Sequence, residues 1–163
     1  MEYVVVIPSL SRPCALKRKT LRLLESYKIP KHSIYVFVID SEYEIYKSII
    51  GTEYNLVVGV CGIANQRNYI SNYFELDTYI CSLDDDIEKI MFLDDDIDLT
   101  SVNNLKLIIS FMINTMDSAE VNLCGVYPIA NAFYMRDNVT TDLRFCIGGF
   151  YIFRNKKLML STS

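Results

Sequence analysis

A chain of 163 residues, 51% hydrophobic and 22% charged with a formal net charge of −4, has the length of one domain with a sizeable core and too much apolar content to be disordered. The acidic balance leaves no broad footprint for non-specific nucleic-acid binding; only Lys17-Arg18-Lys19 with Arg22 forms a local basic cluster, of the kind a solvated helix face carries. No apolar run reaches membrane-spanning length and no basic leader precedes one, so neither a membrane anchor nor a targeting segment is expected.

In chain order, strands and helices alternate. Tyr3–Pro8 is a continuous apolar run, the pattern of a buried parallel strand, and it breaks at Pro8-Ser9-Leu10-Ser11-Arg12-Pro13. Pro13 suits a first helical turn; Leu16, Thr20, Leu23, Leu24 and Tyr27 then recur at helical spacing until Ile29-Pro30. A second strand over Ile34–Ile39 ends on Asp40 and leads into a short helix, Glu42–Ile50, closed by Gly51. The third unit has Leu56–Val60 as its strand, a turn at Cys61-Gly62 and a helix over Ile63–Phe74. A fourth strand, Tyr79–Leu83, runs straight into Asp84-Asp85-Asp86.

A buried strand cannot carry adjacent unpaired charges. The triplet therefore belongs just past the strand's C-terminal end, in the crevice where open α/β sheets bind ligands. In extended backbone alternate side chains share a side, so Asp84 and Asp86 face one way and Asp85 the other. The pair offers hard oxygen ligands to Mg²⁺ or Mn²⁺, ions that take much of their remaining shell from water and substrate phosphates. A solvated acidic turn is the plain alternative. A second triplet, Asp94–Asp96, precedes Asp98 and a helical pattern, where carboxylates favour the positive end of a helix, and reads as structural.

Beyond Asp98 the pattern changes. Leu105, Ile108, Ile109, Met112 and Met116 make a helical stripe capped by Thr100 or Ser101, and this stripe reads as core packing. Val121–Pro128 reads as a strand, Asn131–Tyr134 as a further segment, and Arg144–Phe153 as a strand interrupted by Gly148-Gly149, where the backbone bends or a ligand comes close. Cys14, Cys61, Cys81, Cys124 and Cys146 are odd in number and lack a C-x-x-C; they read as reduced core thiols of an intracellular, cytoplasmic protein.

Strands alternating with helices at short spacing imply an α/β fold with a mostly parallel sheet, flanked by helices, in one domain over 1–163. Loops after parallel strands open on one rim, so Ser9–Arg12, Asp40, Gly59–Arg67 and Asp84–Asp86 converge. In Ile63-Ala64-Asn65-Gln66-Arg67-Asn68 a turn leads into a helix N-terminus, which offers free N–H groups to an anion, and Arg67 adds a permanent cation. Asp40, at a strand end, can accept from ribose hydroxyls or a base N–H, while Ser9, Ser11 and Arg12 can line the other side of a nucleotide. Turn chemistry, helix capping and a surface ion pair are the plain alternatives for these residues.

Val6-Ile7-Pro8-Ser9 with Arg12-Pro13, Val38-Ile39-Asp40, Gly62 with Asn65-Gln66-Arg67-Asn68, Ser82-Leu83-Asp84-Asp85-Asp86 and Gly148-Gly149-Phe150 together resemble the ordered landmarks of GT-A-fold, family-2-like glycosyltransferases. The likeness spans most of the chain. Within that group it looks closest to compact glycosyltransferase domains of phages and large DNA viruses, the TET-associated type included, which are held to sugar-modify hydroxymethylated DNA bases. The resemblance implies a GT-A-like (Rossmann-like) fold with the nucleotide site at the strand C-terminal rim. It also implies sugar transfer from a nucleotide-diphosphate donor to an acceptor hydroxyl on a glycan, a protein or a modified DNA base, so nucleic acid enters only as an acceptor.

Residue by residue, the resemblance implies a nucleotide-sugar set of Pro8, Ser9, Arg12, Asp40, Gln66, Arg67 and Asp85. It implies Mn²⁺ or Mg²⁺ on Asp84 and Asp86, which carry the chemistry, and an acceptor side at Gly148, Gly149 and Phe150. Many members supply a later Asp or Glu as base just after the Gly-Gly-Phe element, where this chain has Tyr151-Ile152-Phe153-Arg154. Asp137 and Asp142 are the nearby acidic residues, and Asp142 joins the catalytic candidates with no motif behind it. A late histidine ligand is also missing, since the only histidine, His32, precedes the second strand and reads as a surface loop residue. A minimal or truncated catalytic domain accommodates both departures.

Other classes remain open at this stage. A nucleotidyltransferase, or a non-catalytic nucleotide- and metal-binding module, shares carboxylates, metal and nucleotide, but the usual Gly-rich loop after the first strand is absent. A phosphatase with an Asp nucleophile would place its D-x-D after the first strand, where Pro-Ser-Leu-Ser stands. Neither triplet has the glycine an EF-hand loop requires.

Overall fold

Continuous apolar runs form the centre of the sheet, as buried parallel strands require. The computed structural model describes residues 2–94, 98–127, 131–135, 138–141, 146 and 149–158, the side chain of Asp94 excepted. In it β1 (Tyr3–Pro8) pairs in parallel with β2 (Ile34–Val38) on one side and with β4 (Tyr79–Leu83) on the other. β3 (Asn55–Val58) extends the parallel set beyond β2. β8 (Phe150–Arg154) runs antiparallel along β4, and β7 (Leu123–Gly125) antiparallel along β8, giving the order β3-β2-β1-β4-β8-β7. The result is the expected mixed α/β fold, a mostly parallel, Rossmann-like sheet flanked by helices.

The strands alternate their side chains between two apolar layers. Val5, Ile7, Val36 and Val38 face the larger core, together with Leu16, Leu24, Tyr46 and the stripe Leu105, Ile109, Met112, Ile113 and Met116. Val6, Phe37 and Ile80 face the other way and are covered by Ile70 of α4 (Ile63–Tyr73) and by Phe74. The first helix runs from α1 (Pro13–Leu16) through a π-helical segment (Lys17–Leu21) into α2 (Arg22–Ser26), burying Leu16, Thr20, Leu21 and Leu24. α3 (Tyr43–Ile50) stops at Gly51, whose φ of 83° a residue without a Cβ adopts freely. The far end of α4 is clamped to the end of β8: buried Asn155 donates its side-chain amide to the carbonyls of Ser71, Phe74 and Glu75 at 2.9, 3.0 and 3.0 Å.

Three expectations are corrected. The second triplet does not open a helix: Asp94 ends β5 (Met91–Asp94) and pairs with Asp98 at the start of β6 (Asp98–Ser101), while Asp95 and Asp96 lie outside the described residues. Thr100 and Ser101 belong to that strand, and α5 (Leu105–Ser118) is capped by Asn104, whose Oδ1 accepts from the Leu107 N–H at 3.3 Å. The thiols are all free, but only Cys81 is buried; Cys14, at the first helical turn, and Cys61, in the turn before α4, are exposed. Among the described residues no helix is long and apolar enough to cross a membrane.

Candidate functional site

The parallel strands β1 to β4 all end on one rim, and β8, being antiparallel, begins there. The loops after β1, β2, β3 and β4 therefore open on the same rim as the Gly149-Phe150 end of β8. The Asp84 N–H donates to the Gly149 carbonyl at 2.8 Å, just past the paired residues Leu83 and Phe150.

Asp85 and Asp86 form a turn just past β4, not the extended backbone the alternation assumed, and the triplet divides between interior and surface. Asp85 turns inward, its side chain 1% exposed and ion-paired with Arg12 Nη2 at 2.8 Å. Ser9 Oγ donates to its other oxygen at 2.6 Å. Because that hydroxyl's proton is committed, Tyr46 OH, 2.7 Å away, must donate to Ser9, and it accepts from the Arg12 N–H at 3.0 Å. A single directed chain thus runs from the Arg12 backbone through Tyr46 and Ser9 to Asp85. Burial pushes the Tyr46 phenol above its ordinary value, with the Ser9 hydrogen bond opposing. Asp85 and Ser9, expected against a nucleotide, are instead buried beneath the rim.

Asp86 turns outward. Its carboxylate is 46% exposed and contacts Arg12 Nη1 at 3.1 Å, so one half-exposed guanidinium bridges the buried and the surface aspartate. Asp84 is half-buried. Burial, and then the Asp86 charge, hold its carboxyl above the usual carboxylate range, while the Arg67 and Arg12 charges pull the other way. Two like charges in a partly dried site are what a divalent cation relieves.

Arg67 reaches this place from the start of α4, which Gly62 opens at φ 89°. Its guanidinium lies 5.8 Å over the Tyr151 ring, and its Nε is buried without a hydrogen-bond partner among the described residues. Gln66 braces the loop before the helix: its Oε1 accepts from the Val60 N–H at 2.7 Å, and it packs so tightly on Gly59 that a Cβ there would lie 2.2 Å from it. Asp40 is exposed just beyond β2, and Pro8 ends β1 opposite Phe37. Phe150, expected on the acceptor side, is buried, because the first side chain of β8 points to the larger core. Gly148, Asp137 and Asp142 lie outside the described residues.

Several members of the arrangement carry no motif. Glu42 fixes the loop after β1, accepting from the Ser11 N–H at 2.8 Å and from its hydroxyl at 2.6 Å, and so holds Ser11 at φ 57°. Glu42 and Tyr46 are four residues apart and face the same loop, an i, i+4 spacing that offers the one available sequence signal. Gly149 packs directly against Asp84: an added Cβ would lie 2.5 Å from Ile87 Cδ1 and 3.2 Å from Asp84 Oδ2. The Ile87 tip can swing aside, but Asp84 must yield. Gly149→Ala should therefore fold normally and weaken Mn²⁺ binding by about threefold to tenfold, as a Mn²⁺ titration beside a melting curve would show; unchanged affinity would count against the crowding.

As a donor set, Asp84 and Asp86 supply carboxylate oxygens, and among the described residues no third His, Cys, Asp or Glu joins them as a ready-made metal cluster. A pair suffices for Mg²⁺ or Mn²⁺, which commonly rest on one or two carboxylates and complete their shells with water and phosphate oxygen. The residues present fit such an ion. No family model matches the chain, and no curated protein matches it. Among solved structures it is similar to 4-diphosphocytidyl-2C-methyl-D-erythritol synthase from Anaerococcus prevotii DSM 20548, with a TM-score of 0.49 and 12% identity, covering 95% of this chain and 72% of that one. At that distance the likeness is one of chain path alone.

Proposed function

We propose that the chain is a divalent-metal-dependent glycosyltransferase that takes a nucleotide-diphosphate sugar and moves its sugar to an acceptor hydroxyl, with residues 1–163 acting as one catalytic domain. The observation that supports this most is the setting of Asp84 between Asp86 and Arg67 on the rim where four separate loops meet. In this reading Asp84 and Asp86 would hold Mn²⁺ or Mg²⁺, which would supply positive charge to a diphosphate leaving group. Arg67 supports the same phosphates, together with the N–H groups of the first turn of α4. Asp40, exposed beyond β2, accepts from the ribose or the base. The acceptor enters beside Gly149, and its hydroxyl proton passes to a carboxylate; Asp142 is the candidate.

A thermal-shift panel of UDP-, GDP-, TDP- and CDP-sugars and nucleoside triphosphates, with and without Mn²⁺, tests the reading when followed by product analysis. Near saturation the matching sugar nucleotide should raise the melting temperature by roughly 5–10 °C only with Mn²⁺ present, and should release a nucleoside diphosphate on turnover. Pyrophosphate released from a triphosphate would make the chain a nucleotidyltransferase. Mn²⁺ stabilisation with no nucleotide effect would leave a metal-binding module.

A further inference from the structure

The loop that carries the aspartates is pinned from a distant part of the chain. Thr20 is fully buried in the π-helical segment Lys17–Leu21. Its hydroxyl donates to the Asp84 carbonyl at 2.8 Å, and the same oxygen accepts from the Ile87 N–H at 2.9 Å. One hydroxyl therefore closes both ends of the stretch that contains Asp85 and Asp86. A threonine inside a regular α-helix ordinarily turns its hydroxyl back to the carbonyl four residues earlier. Here, in a π segment of the kind that recurs at functional sites, both hydrogen-bonding functions leave the helix and enter the acidic loop.

Other tethers to this loop are weaker or act elsewhere. β8 fixes the Asp84 N–H through Gly149, leaving the Asp84 carbonyl to Thr20. Lys19 reaches Glu88 at 2.9 Å, but both side chains are exposed and such pairs contribute little. Arg12 grips Asp85 and Asp86 by their side chains, from the other side of the loop. Among the described residues only Thr20 holds the backbone on both flanks of Asp85 and Asp86, and chelation by two carboxylates tolerates about half an ångström of error.

We infer that Thr20 is the positioning residue of the acidic loop, setting the spacing of the Asp84 and Asp86 carboxylates for a divalent cation. The inference rests on the metal-site reading above. Thr20→Val keeps the shape, removes the hydroxyl and strands the Asp84 carbonyl and the Ile87 N–H. The Mn²⁺ dissociation constant should rise at least about tenfold in Thr20→Val, as for other supporting partners of metal ligands, and Thr20→Ser should return it to within about threefold of the parent. Electron paramagnetic resonance of free Mn²⁺ reads the affinity, and melting curves without metal read the fold.

Wild-type affinity retained in folded Thr20→Val, with only a lower melting temperature, would overturn the inference and leave the metal site standing. Failure of Thr20→Ser to recover affinity would overturn it as well. Where Thr20→Val does not fold, Thr20→Ala takes its place; should neither fold, the hydroxyl serves the fold and the positioning role falls. Absence of Mn²⁺ binding by the wild-type chain would instead remove the metal reading itself.

Discussion

Asp86→Ala should lower Mn²⁺-dependent turnover of a sugar nucleotide by about a thousandfold or more, while moving the melting temperature by no more than about 2 °C. The separation of the two effects follows from where Asp86 sits. Its side chain is half in solvent and its partner is Arg12, itself half-exposed and still paired with Asp85 once Asp86 is gone. Exposed pairs of this kind stabilise by no more than about 1 kcal/mol. In the proposed reading the carboxylate's value would lie instead in a dication shared with Asp84, whose proton affinity is raised by burial and by this same neighbour. Turnover at the parent rate in Asp86→Ala, measured as nucleoside diphosphate release, would remove the metal role.

The sequence reading was sharpest where burial is two-sided. β4 falls on Tyr79–Leu83 as expected and β1 on Tyr3–Pro8, because a strand covered on both faces is a continuous apolar run with abrupt polar ends. α3 and α4 were bounded by Gly51 and Gly62, residues that take positive φ without strain. β5 and β6 were missed because each spans four residues, too few for a period of two to stand out against a neighbouring helical stripe. The cap of α5 was misplaced because Thr100, Ser101 and Asn104 are all capping residues; the one directly before Leu105 does the capping.

The site divides in the same way. The place of the triplet at the end of β4 follows from the apolar run before it, although Asp85 and Asp86 take their opposed directions in a turn and not by alternation along an extended strand. What Asp85 meets on turning inward does not follow from the local sequence: Ser9 and Tyr46 arrive from β1 and α3, Thr20 from the first helix, and only the sheet order brings them together. Gln66 shows the converse hazard, since a residue in a motif-like position is occupied in holding Val60.

Asp85→Ala should do the opposite of Asp86→Ala. Asp85 is the buried terminus of the chain from Arg12 through Tyr46 and Ser9, so its removal leaves the Ser9 hydroxyl without its acceptor in a dry place. Breaking a fully buried pair costs about 3–5 kcal/mol. The Arg12 guanidinium is half in water and keeps Asp86, so the loss here should be about 2–3 kcal/mol, most of it from the stranded Ser9 hydroxyl and the lost buried contact. Urea unfolding should show a lower midpoint with an unchanged slope, and the melting temperature should fall by roughly 5–10 °C. Asp85→Asn keeps an acceptor for Ser9 and gives up only the charge, so it should lose about half as much. Asp85→Ala as stable as the parent would show that the inward aspartate does not anchor the loop, and the division of labour between adjacent aspartates would fail at its structural half.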